Sequence, residues 1–80
     1  MRIPRDVSGK ELCKKLEKYG YGITRQKGSH IRLTTHKNGE HHITIPNHSN
    51  LRIGTLSNII QSIANHLEKD KADVVEELFP

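Results

Sequence analysis

The sequence predicts an α+β fold: a two-layer sandwich in the order α-β-β-β-α, with a three-stranded antiparallel sheet and a short helical appendage at the C-terminus. Three observations carry this. Leu56, Ile59, Ile60, Ile63, Ala64 and Leu67 recur at helical spacing. Three short runs between residues 21 and 45 are bounded by turn residues, and two of them alternate apolar with polar. Ser8-Gly9-Lys10-Glu11 has the form of a capping box opening a first helix.

Residues 1–7 form a polar lead with Pro4. Val7 and Leu12 flank the capping box at the positions of a hydrophobic staple. The first helix runs to about Tyr19 with Leu12, Cys13 and Leu16 as a narrow apolar stripe, and Gly20 stops it. Tyr21 to Arg25 is the first strand, Lys27-Gly28-Ser29 the turn, and His30 to Thr35 the second strand. Alternation puts Ile31, Leu33 and Thr35 on one face and His30, Arg32 and Thr34 on the other. Asn38-Gly39 is a hairpin signal, because both positions tolerate positive φ. His41 to Ile45 is the third strand, with Ile43 and Ile45 inward, and Pro46 ends it. The second helix starts near Gly54-Thr55 and supplies most of the core. Asp70 is positioned to cap a short third helix holding Val74, Val75 and Leu78.

Eighty residues make one domain, residues 1–80, with its core at about 8–67 and an acidic extension at 68–80. Residues 1–67 hold eleven Lys/Arg against four Asp/Glu, a net +7; residues 68–80 hold two against five, a net −3. A basic body suits contact with nucleic acid, and equally suits ordinary surface charge. Cys13 is alone and cannot close an internal disulfide, which fits a reducing compartment. No apolar run is long enough for a membrane span, so a cytoplasmic protein is expected.

The residues of most chemical interest surround one turn. His30 follows Lys27-Gly28-Ser29 and shares its strand face with Arg32. A histidine without an apolar reason for its position, framed by cations, suits proton transfer at a phosphate-bearing substrate. Arg25, Lys27 and Arg32 are candidate phosphate contacts, as are the amides near Gly28 and Ser29. His48 is a candidate second proton-transfer group, or a loop histidine bonded locally. His41 and His42 point to opposite faces of a strand and cannot easily share an ion; His36 can approach either across the hairpin. No structural or catalytic metal and no cofactor is expected. Lys10, Lys14, Lys15 and Lys18 are either a solvated helix face or a surface along a nucleic-acid backbone.

Taken together, the helix ending in Lys-Tyr-Gly-Tyr, Lys27-Gly28-Ser29-His30, Thr44-Ile45-Pro46-Asn47-His48 and Gly54-Thr55-Leu56 before Ile59-Ile60 resemble the HicA toxin family. The resemblance spans about Ser8 to Leu67. It implies a fold like a double-stranded-RNA-binding domain, and a toxin that is an endoribonuclease cleaving mRNA with the histidine of the Gly-Ser-His motif, here His30. It also implies an antitoxin of the HicB family that covers the active face. Lys69–Pro80 departs from the family pattern. It either packs on its own domain or makes a homodimer or antitoxin contact, and its acidic charge suggests a shield over the basic face. Two other readings stand beside the nuclease: a module of the same fold that grips RNA without cutting it, and a protein whose main business is its partner.

Overall fold

The computed structural model describes residues 2–80; Met1, the first residue of the polar lead, lies outside the described residues. The chain forms a helix α1 (Gly9–Lys15), a 3-10 turn (Leu16–Tyr19), strands β1 (Gly22–Lys27), β2 (His30–Thr35) and β3 (His41–Pro46), then helices α2 (Ile53–Leu67) and α3 (Lys71–Leu78). The sheet is antiparallel in the order β1-β2-β3. This α+β arrangement is consistent with a double-stranded-RNA-binding-domain-like fold.

Ser8 caps α1: its backbone is extended and its Oγ accepts the Glu11 amide at 3.0 Å. Val7 and Leu12 are both buried in the same core cluster, as a hydrophobic staple requires. Regular α-helix ends at Lys15 rather than continuing to Tyr19. The last four residues tighten into a 3-10 turn that buries both Leu16 and Tyr19. Gly9 has a packing reason. A Cβ there would lie 2.2 Å from the Pro46 carbonyl oxygen, so the helix start can abut the end of β3 only without a side chain.

The first strand is displaced from its expected place. Tyr21 is core, almost fully buried, and the strand runs on through Lys27 because Lys27 pairs with His30. That leaves Gly28-Ser29 as a two-residue turn, with Gly28 at φ 58°. The second hairpin turns through Asn38 at φ 59° and Gly39 at φ 98°. Ile31, Leu33, Ile43 and Ile45 are buried against the helical layer, as alternation requires. Thr35 joins them: its hydroxyl donates to the Tyr19 carbonyl at 2.8 Å and accepts the Lys37 amide at 3.1 Å.

α2 buries Leu56, Ile59, Ile60, Ile63 and Ala64, but it does not supply most of the core. α1 and its 3-10 turn add Leu12, Cys13, Leu16 and Tyr19; α3 adds Val74, Val75 and Leu78. The C-terminal segment is therefore part of the packed body. Asp70 takes the N-cap position with an extended backbone, although its side chain makes no capping bond. One carboxylate of this segment, that of Glu77, meets the helical layer. Glu77 accepts from the Tyr19 hydroxyl at 2.6 Å and pairs with Lys69 at 3.0 Å, and its carbonyl accepts from Lys18. Tyr19 and then Lys69 hold the Glu77 carboxyl below its ordinary pKa.

A histidine cluster ties the second hairpin to α2. His41 stacks on His66 with ring centroids 4.3 Å apart and shares a 2.8 Å hydrogen bond with the Tyr21 hydroxyl. His66 Nε2 in turn lies 2.9 Å from the Lys37 carbonyl and 3.0 Å from that of Gly39. Burial lowers the His41 pKa, with His66 and His42 adding to the effect; burial raises that of Tyr21 to about 12. Folded His41 therefore binds its proton less readily than unfolded histidine. Stability should be full above the unfolded value of about 6.5 and fall as pH drops through it. Thermal melts at pH 8 and pH 5 test this: the midpoint falls on acidification, and by less in His41→Gln. A midpoint that rises toward pH 5 contradicts it.

Candidate nucleic-acid interface

The β1–β2 register assembles the site. Arg25 lies opposite Arg32, and Lys27 opposite His30. Residues opposite each other across antiparallel strands share a face, so Arg25, Lys27, His30 and Arg32 project from the same side of the sheet. That side is the one away from the buried Ile31 and Leu33. Neither β1 nor β2 contains an Asp or Glu. Like charges placed directly opposite each other destabilise a sheet, and an anion between them removes that cost. The arrangement is suited to a phosphate backbone.

His30, Lys27, Arg25, Gly28 and Ser29 are exposed, and Arg32 is half-buried. The Ser29 carbonyl accepts the Asn47 amide at 2.6 Å, which fastens the glycine turn to the end of β3. His48 follows directly. Its carbonyl accepts the Gly9 amide at 2.9 Å, so its backbone is fixed while its side chain is exposed. The structure thus gathers Arg25, Lys27, His30 and Arg32 on one face at the end of a hairpin. His48 stands on the neighbouring loop, two residues beyond Pro46, the β3 partner of His30.

A second polar chain on this face was not foreseen from the sequence. Thr24 Oγ1 lies 2.9 Å from Thr34 Oγ1, Thr34 Oγ1 2.7 Å from His42 Nδ1, and His42 Nε2 2.9 Å from Glu40. It crosses all three strands and leaves Thr34 almost buried, although alternation points it outward. Thr34 and His42 are cross-strand partners, a pairing that the length of the Asn38-Gly39 loop determines. His36 lies 3.9 Å from Glu40, while His41 points to the helices and His42 to solvent. Among the described residues, no three His, Cys, Asp or Glu side chains converge as metal ligands do. Among the same residues, no helix is long and apolar enough to cross a membrane.

These features define a class of small α+β domain whose sheet carries a cationic, histidine-bearing hairpin. The comparison with protein families is more specific: the model described as HicA toxin of bacterial toxin-antitoxin matches residues 9–64. The chain belongs to the HicA toxin family, and membership gives it a toxin role beside a HicB-type antitoxin partner. No curated protein and no solved structure matches the chain.

Proposed function

We propose that this chain is the ribonuclease of its toxin–antitoxin pair, a single domain that cleaves mRNA in the cytoplasm without a metal. The observation that carries the reading is the register that sets Lys27 opposite His30 and Arg25 opposite Arg32 on one face.

RNA brings its own nucleophile. His30 takes the proton from the ribose 2′-hydroxyl, and that oxygen attacks the adjacent phosphorus. The guanidinium groups of Arg25 and Arg32 and the Lys27 ammonium balance the extra negative charge of the five-coordinate phosphorane. The amides of the Gly28-Ser29 turn add donors that cost no reorganisation. The P–O bond to the 5′-oxygen then breaks, and a proton is delivered to that oxygen. His48 is the nearest candidate for this step in chain topology. The products are a 2′,3′-cyclic phosphate and a free 5′-hydroxyl. Each catalytic role falls to a side chain or a backbone amide, and the sequence of steps requires no metal-bound water.

The test is cleavage of mRNA by the purified protein in excess EDTA. The expected result is undiminished cleavage leaving cyclic-phosphate ends. Salt-dependent RNA binding without cleavage would overturn the nuclease reading in favour of a binding module.

A further inference from the structure

We infer that the open edge of β1, with the groove between it and α1, is the docking site for an extended, acidic segment of the partner protein, which adds to the sheet as a fourth strand. The inference rests on the toxin–antitoxin reading above and specifies how the partner reaches the site.

β1 is an edge strand, and all six of its residues are exposed. The unpaired backbone groups along such an edge are a template for another strand. Beside it lies a cavity of about 300 Å3, with Cys13 and Ile31 toward the core, Ile23 and Gln26 from β1, and Lys10 and Lys14 from α1. Ile23 is 58% exposed, the more exposed of the two large apolar side chains that face solvent among the described residues. The opposite edge has no such anchor, since Ile43 of β3 is 7% exposed. An edge, an apolar anchor and a groove beside it are the parts that strand addition uses, with backbone bonds for affinity and alternate side chains for specificity.

Charge selects the occupant. The groove side carries Lys10 and Lys14 and the outer side Arg25 and Lys27, against the single carboxylate of Glu17 at the rim. A second copy of this chain would bring the same cations to the seam. An added strand alternates its side chains between the two faces, so apolar residues enter the groove beside Ile23 while acidic ones meet Arg25 and Lys27. The partner would then occupy the cations that otherwise hold phosphate. β1 lies between the added strand and His30, so inhibition needs no contact with the His30 ring.

The experiment compares wild type with Ile23→Asp, using the HicB-type antitoxin of the same pair as probe. Affinity, RNA cleavage by the free chain, sedimentation, and hydrogen exchange of the β1 amides are read together. The expected result is an affinity loss of about 30-fold or more in I23D. RNA cleavage is unchanged, the free chain is monomeric, and the Gly22–Lys27 amides become protected in the wild-type complex. Affinity within threefold of wild type, or unprotected β1 amides in the complex, overturns the inference. So does a wild-type dimer that I23D dissolves, which would make a second copy the occupant. Loss of cleavage in the wild type with antitoxin binding intact would instead overturn the nuclease reading and leave the docking site standing.

Discussion

On the nuclease reading, His30→Ala should lower RNA cleavage by about 10²–10⁴-fold, the usual contribution of a positioned acid–base group, and should leave the unfolding midpoint in place. Two features make the separation clean. His30 is exposed at the first position of β2, so truncation removes no core contact. Its backbone pairing with Lys27 and Pro46 is unaffected by the side chain. Surface substitutions of this kind typically change stability by about 0.5 kcal/mol or less. RNA affinity should fall little, because Arg25, Lys27 and Arg32 are intact. Single-turnover cleavage with RNA in the two proteins, alongside thermal melts, gives the answer. Full activity in the variant would remove His30 from the chemistry. Lost activity with a collapsed melting transition would make it a structural residue.

The residues of this face were legible in the sequence because they are neighbours along one hairpin. His30 and Arg32 alternate away from Ile31 and Leu33, and that alternation needs no tertiary information. Arg25 was harder to place. Its facing depends on the turn length, and the turn is Gly28-Ser29 rather than Lys27-Gly28-Ser29. It depends also on a register shift between Ile23 and Arg25, which breaks strict alternation along β1. Contacts between distant segments were out of reach. His66 meeting His41, and Glu77 meeting Tyr19, are set by how α2 and α3 lie on the rest of the body. The Glu40–His42–Thr34–Thr24 chain requires the register of both hairpins at once. The same limit explains why an acidic tail read by charge alone suggested a shield over the basic face. Charge sums carry no direction, and the buried side of α3 decides where Glu77 goes.

Leu78→Ala should cost about 2–5 kcal/mol of stability, the range for truncating a fully buried leucine. Leu78 is 2% exposed near the end of α3, beside Val74 and Val75, which are as deeply buried. An 80-residue protein holds about 4–12 kcal/mol in all, so this one change removes a large share. The prediction separates two views of residues 68–80. An appendage that rests on the surface loses its own order when Leu78 is cut back and leaves the sheet untouched. A segment that completes the core brings the whole cooperative transition down with it. The hydrogen bond from Tyr19 to Glu77 favours the second, since undocking α3 breaks that bond as well as exposing the apolar face of α2 beneath it. Urea unfolding followed by far-ultraviolet circular dichroism measures the midpoint. A shift equivalent to less than about 0.5 kcal/mol would return the segment to the status of an appendage. Glu77→Gln serves as the contrasting variant. It keeps the apolar packing and removes the charge, and because Glu77 faces Lys69 and Tyr19 rather than the β1–β2 hairpin, RNA affinity at low salt should not rise.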